Sequence, residues 1–217
     1  MGAGAQSGIS VIEVQPYGAS AVLVRSALPR GLAAARRMAV LAEYLQSVPG
    51  VEETVAGWTE VACYLADQCS PQDEQLLRAL TLSAQAALAA PLPAVAGRSH
   101  RIPVAYNGAD LASVAQALGL SMAAVIAAHQ AQACTVGVIG FRPYFAYCLG
   151  LDPVLHLPRK AQPAMVQAGA VAIADDMTAI YPSHGPGGWH VLGHTSADRC
   201  CQLQVGDVLR FVQVETV

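Results

Sequence analysis

The chain has 217 residues, of which 54% are hydrophobic and only 12% charged, with a formal net charge of −3. This length supports one large or two small domains without disulfide or metal staples, and the hydrophobic share excludes a disordered chain. The slight acidity leaves no electrostatic footprint for nucleic acid or an anionic membrane, and so small a charged share points to surface that a partner covers.

Residues 1–10 carry neither a basic stretch nor an apolar core, so no signal peptide is expected and the protein is placed in the cytoplasm. Residues 9–14 and 19–24 read as short strands around a Pro16-Tyr17-Gly18 turn. Met38, Leu41, Leu45 and Val48 recur at helical spacing, and Pro49-Gly50 ends that helix. Residues 51–55 and 60–65 read as strands around Gly57-Trp58. Ser70 is the expected cap of a second helix, with Pro71 in its first turn and Asp73 three residues on, running to about Ala90. From Ala90 to Gly97 the chain is rich in proline and loses periodicity. Residues 1–95 are therefore expected to form a small α+β domain, and residues 96–217 a second one.

The second domain opens with a strand at residues 101–106. Asp110 is the expected cap of a helix that Gly119 ends, and Ser121 caps another, giving a helical hairpin near residues 110–131. Residues 135–141, 170–174, 178–181, 189–193 and 207–214 then read as strands of a closed barrel or sandwich. Residues 111–141 hold no charged side chain, yet Gln116, Gly119, Ser121, His129, Gln130 and Gln132 interrupt them, so no membrane span is expected. The hairpin has the look of a helix-turn-helix, with Ala115, Gly119 and Val125 in the matching places. DNA recognition needs side chains that reach phosphates and base edges, and no Lys or Arg lies between Arg101 and Arg142. No nucleic-acid partner is expected.

Six cysteines show no Cys-x-x-Cys pair and read as free thiols in a reducing compartment. His184, His190 and His194 flank a glycine-rich β-type segment and stand too far apart along it for one ion, so no metal is expected. Asp175 and Asp176 point to opposite faces unless the chain turns there. The stretch from Pro182 to Trp189 reads in two ways. It is a tight barrel corner with Trp189 as core, or a pocket lined by backbone for a small anionic or amide ligand. Arg159-Lys160 is a solvated pair or the holder of a carboxylate or phosphate.

Larger blocks also follow one another along the second domain. They are Gly140-Phe141-x-Pro143-x-Phe145-x-Tyr147, Gly150-Leu151-Asp152-Pro153, Leu157-Pro158-Arg159, Ala168-Gly169-x-Val171-Ala172-Ile173-Ala174, Thr178-x-Ile180-Tyr181-Pro182 and Pro186-Gly187-Gly188-Trp189-x-x-x-Gly193-x-Thr195. Gly206-Asp207-x-x-x-Phe211 closes the series, with Ile102-Pro103-Val104 and His129 upstream. In order and spacing they resemble the family of B-type 5-oxoprolinase subunits, also called allophanate hydrolase subunit 1, a carboxyltransferase domain of the subdomain C and D type. The family includes the sporulation kinase inhibitor KipI.

The resemblance implies an α+β N-terminal domain followed by a mainly-β, cyclophilin-like barrel. It implies an ATP-dependent amide hydrolase that opens 5-oxoproline to glutamate in a hetero-oligomer with a second carboxyltransferase-type subunit. ATP belongs to that complex, and neither metal nor biotin is expected on this chain. Carried over residue by residue, Phe145, Arg159, Thr178, Tyr181, Gly187, Gly188 and Trp189 line a pocket for a small amide or carboxylate, with Arg159 as anion holder. His129 is either a polar partner of that pocket or a helix histidine on the side of Val125, one turn away. No residue is assigned to bond breaking.

The chain also departs from the family pattern. Tyr144 stands where glycine is usual, Asp175-Asp176-Met177-Thr178-Ala179 replaces a Gly-Gly-Gln-Thr-Gly run, and Ala164 and His194 replace arginines. An anionic ligand would meet fewer cations and more negative charge. That favours the alternative reading, a non-catalytic regulatory module such as a KipI-like histidine-kinase inhibitor or a diverged paralogue.

Overall fold

The computed structural model of the chain describes residues 12–92 and 97–217. The chain divides into two compact units, Met1–Pro93 and Ala94–Val217. The stretch read for a signal peptide, the start of the first expected strand and the expected boundary at residue 95 lie outside the described residues.

In the first unit, β1 (Ile12–Tyr17), β2 (Ala21–Ser26), β3 (Val51–Ala56) and β4 (Glu60–Leu65) form an antiparallel sheet in the order β1-β2-β4-β3. Pro16 lies inside β1 and not in the expected turn. An edge strand permits this, because one of its sides makes no ladder bonds. Helices α1 (Leu32–Gln46) and α2 (Glu74–Ala89) set Met38, Leu41, Leu45 and Leu80 against Val22, Val24, Val61 and Cys63. Ser70 does not cap α2. Asp73 does, its carboxylate accepting from the amides of Gln75 at 2.8 Å and Leu76 at 3.2 Å, while the Ser70 hydroxyl accepts from the amide of Gln72. A carboxylate there also meets the positive end of the helix dipole, which a hydroxyl does not.

The second unit runs β5 (Ser99–Val104), α3 (Leu111–Leu118), α4 (Met122–Ala131), β6 (Cys134–Ile139), β7 (Ala146–Leu149), β8 (Ala164–Val166), β9 (Ala170–Ala174), β10 (Met177–Ile180), β11 (Gly185–Gly187), β12 (His190–His194) and β13 (Val208–Gln213). One sheet takes the order β12-β9-β10-β7-β6-β13-β5. Ala105, just past β5, and His194 of β12 exchange amide hydrogen bonds at 2.9 Å, so the sheet nearly closes into the expected barrel. Ile102, Val136, Cys148, Val171, Ile180 and Phe211 belong to its core. The short β8 and β11 pair with each other as a separate ribbon.

Helices α3 and α4 meet at 91° and seat Leu111, Val114 and Val125 against Leu155, Ile173 and Leu192. Among the described residues no single helix is long and apolar enough to cross a membrane. Gly119, at φ +65°, ends α3, and the Ser121 hydroxyl accepts from the amide of Ala124 to cap α4. The expected side-chain cap at Asp110 is not made, because its carboxylate is engaged elsewhere. Asp175 and Asp176 form a two-residue hairpin between β9 and β10, with Ala174 paired to Met177 and Asp175 at φ +53°. Asp tolerates this left-handed region better than most residues.

Candidate functional site

A cavity of about 390 Å³ opens beside the β8–β11 ribbon, lined by Phe141, Phe145, Tyr147, Arg159, Lys160, Ala161, Pro163, Tyr181, Pro186, Gly187, Gly188 and Trp189. Its floor is an aromatic cluster built around Phe145. That ring meets Tyr147 at 4.8 Å, Tyr181 at 5.2 Å and Trp189 at 5.7 Å between centroids, all edge to face. This is the arrangement that aromatic quadrupoles favour. Phe145, Tyr181 and Trp189 are buried, so Trp189 belongs to the packed interior and to the cavity wall at once. The corner is tight and edges a pocket together.

The glycines act through the space they leave. A methyl on Gly187 would collide with the hydroxyl end of Tyr181, and one on Gly185 would collide with the Arg142 guanidinium. Arg142 donates to the carbonyl of His184 at 3.2 Å and, more loosely, to that of Pro186 at 3.4 Å, holding the ribbon's bend. Burial raises the Tyr181 phenol above its usual value against the pull of the Trp189 backbone amide and of Arg142, so the phenol stays protonated. Burial likewise raises Tyr147, with Arg159 opposing.

The two cavity cations differ. Lys160 donates from Nζ to Asp110 at 2.8 Å, and the same carboxylate oxygen accepts the Val191 amide at 2.8 Å. Arg159 faces Asp175 at 3.6 Å from Nε, longer than a hydrogen bond, with both side chains about half exposed. Two carboxylates thus balance two cations along the wall.

Of the residues expected to line the pocket, Phe145, Arg159, Tyr181, Gly187, Gly188 and Trp189 do so. Thr178 and His129 do not. The Tyr106 hydroxyl lies 2.7 Å from His129 Nδ1, His129 Nε2 lies 3.0 Å from Thr178 Oγ1, and Thr178 donates to the Ala172 carbonyl at 3.1 Å. One tautomer satisfies every bond: Thr178 accepts from Nε2–H and Tyr106 donates to Nδ1. Burial drives the His129 pKa down to about 3, so the ring is neutral. These polar atoms are used on each other, and the helix-histidine alternative is the one realised. Sequence reading missed Arg142 and Asp110, whose partners lie far along the chain.

His190 donates from Nε2 to the Pro158 carbonyl at 2.9 Å, and His194 bonds Asn107 at 2.8 Å. Among the described residues no three His, Cys, Asp or Glu side chains gather into a metal set. All six cysteines are free thiols, and burial pushes Cys63, Cys134 and Cys200 up to about 12.

Residues 12–199 match the family described as carboxyltransferase domain, subdomain C and D. The chain is 34% identical to the B-type 5-oxoprolinase subunit of Escherichia coli O157:H7, covering 90% of this chain and 93% of that protein. It is 31% identical to the protein of the same name from Haemophilus influenzae, covering 93% and 97%. The crystal structure of TTHA0988 superposes with a TM-score of 0.75 at 33% identity, covering 92% of this chain but only 40% of that longer one. Kluyveromyces lactis urea amidolyase shares the fold at a TM-score of 0.73 and 16% identity, over 95% of this chain and 15% of its own. By the span of the family match and by these near full-length relatives, the chain belongs to the family of carboxyltransferase domains, subdomain C and D.

Proposed function

We propose that this chain is the B-type subunit of a 5-oxoprolinase complex, which opens 5-oxoproline to glutamate at the cost of ATP together with a second carboxyltransferase-type subunit, in the cytoplasm. The observation that carries the reading is the cavity. Its volume falls in the range of small-ligand sites. Aromatic edges suit the ring of a cyclic amide, Arg159 suits its carboxylate, and both sit beside bare backbone at Gly187 and Gly188. The names of the E. coli and H. influenzae relatives support the same assignment.

The cavity lining pairs no nucleophile with a base, so its part is to hold the lactam. Groups that activate water for addition across the ring C–N bond then come from the companion. ATP also fits the companion better. A polyphosphate would have to compete with Asp110 for Lys160 and with Asp175 for Arg159. The exposed aromatic rings of Phe141 and Tyr144, one on the cavity and one beside it, offer the companion an apolar rim.

The test is co-expression with the companion subunit, followed by assays on 5-oxoproline, allophanate and urea with ATP. The complex is expected to hydrolyse ATP in a 5-oxoproline-dependent way, and the chain alone to hydrolyse neither. Turnover by the isolated chain, or a complex active only on allophanate or urea, overturns the reading. The regulatory-module alternative draws on the carboxylate already facing Arg159, and it is the outcome if the complex turns over none of the three.

A further inference from the structure

The segment that carries the cavity cations is pinned at four polar groups. The Leu157 carbonyl accepts the Asp175 amide at 2.6 Å, the Pro158 carbonyl lies 2.9 Å from His190, and the Lys160 amide donates to the Gly188 carbonyl at 2.8 Å. Lys160 is locked through Nζ to Asp110, which is itself held by a second donor. Arg159 is the side chain left with room to move, and its carboxylate neighbour is loose at 3.6 Å. The Leu157–Asp175 bridge fixes the Asp175 backbone beside the segment two residues before Arg159, which keeps the two side chains within reach of each other.

We propose that Asp175 is a specificity-setting residue of the cavity: its carboxylate competes for Arg159 and keeps the affinity for carboxylate ligands low without affecting uncharged ones. The inference rests on the reading of the cavity as the lactam site. An incoming carboxylate either displaces Asp175 or shares the guanidinium with it, and in both cases it binds in the field of a nearby negative charge. An uncharged ring meets the same aromatic wall without that penalty. The turn that carries Asp175 accepts Asn or Gly at φ +53°, so its charge can be removed without disturbing the hairpin.

The test uses the full chain, alone and with its companion. The chain has two tryptophans, so a Trp58→Phe background makes Trp189 the sole tryptophan reporter at the cavity. Two probes are titrated, 5-oxoproline and 2-pyrrolidinone, which has the same ring but no carboxylate. Asp175→Asn is expected to tighten 5-oxoproline binding about 5- to 15-fold, the effect of one unit charge about 5 Å away at an effective dielectric of about 40–70, and to leave 2-pyrrolidinone unchanged. Arg159→Gln is expected to weaken 5-oxoproline and erase the gain in the double variant. If the parent binds 5-oxoproline and Asp175→Asn binds it no tighter, or tightens both probes equally, the proposal falls while the lactam reading stands. If 5-oxoproline binds to no form, with or without the companion, both fall.

Discussion

Tyr144 offers the most direct test of how this site is built. The Phe145 amide donates to the Arg142 carbonyl at 3.1 Å, so Arg142-Pro143-Tyr144-Phe145 is a β-turn. Pro143 stands at its second position and Tyr144, at φ +67°, at its third. That is the type II pattern, in which glycine is the preferred third residue. A residue with a Cβ held in the left-handed region costs about 1–2 kcal/mol. Glycine gives back about 0.5–1 kcal/mol through the greater freedom of the unfolded chain. Tyr144→Gly is therefore expected to stabilise the second unit by about 1 kcal/mol. At a urea dependence of about 2 kcal/mol per molar, the midpoint rises by about 0.5 M.

The assay is urea unfolding followed by Trp189 fluorescence in the Trp58→Phe background, so that the signal reports the unit that holds the turn. The Tyr144 ring is 52% exposed, so its removal forfeits little packing within the chain. The same substitution is expected to weaken capture of the companion, because it removes part of the aromatic rim. A midpoint that stays put or falls would show that the ring repays its backbone cost within this unit, and the case for a rim held under strain for a partner would fail with it.

Two further outcomes follow from the buried groups. His129, neutral in the fold with its pKa down at about 3, has an unfolded value near 6.5, so the unfolded chain binds the extra proton between those limits. Stability is expected to be full above about pH 6.5 and to fall by up to about 1.4 kcal/mol per unit as pH drops toward 3. His129→Gln should flatten that slope in urea midpoints taken at pH 7.5, 6 and 5, and a slope left unchanged counts against the assignment. Gly187→Ala is expected to force the Tyr181 hydroxyl out of place, weakening 5-oxoproline binding at least about 10-fold and lowering stability by about 1–3 kcal/mol, measured by the Trp189 titration and by thermal melting.

What the sequence disclosed depended on the range over which each signal acts. Residues 170–174 were legible as a strand because a fully buried strand is an apolar run, and β9 has those bounds. Gly119 and Ser121 were legible because a left-handed stop and a hydroxyl cap are local chemistry. The ribbon was not legible, because Gly185-Pro186-Gly187 carries turn residues and becomes a strand only by pairing with Ala164–Val166. Asp110 read as a cap because its neighbours permit one, yet Lys160, fifty residues away, and the Val191 amide take its carboxylate. Thr178 and His129 fell in the right family blocks, but block membership does not say whether a side chain points into a cavity or toward another buried residue. Arg142 gave no local sign of its task, since its partners are carbonyls that only the folded ribbon brings together.

The charges along the cavity bear on why a companion belongs to the proposed reaction. Lys160 is held by Asp110 and Arg159 only loosely faces Asp175, so the open cavity's pull on an anion falls to the solvated Arg159 and is readily screened by salt. The tightly held Lys160–Asp110 pair stays neutral while the loose Arg159 is left to choose between Asp175 and the ligand, and the energy at stake in that choice grows as the local dielectric falls. A companion that covers the Phe141 and Tyr144 rim would lower that dielectric and exclude water from the lactam at the same step. The salt dependence of ligand binding then separates the two states. It is expected to be steep for the chain alone, where Arg159 is solvated, and shallow in the complex. Equal salt dependence in both would mean that the companion leaves the cavity open, and that its contribution to catalysis lies away from this wall.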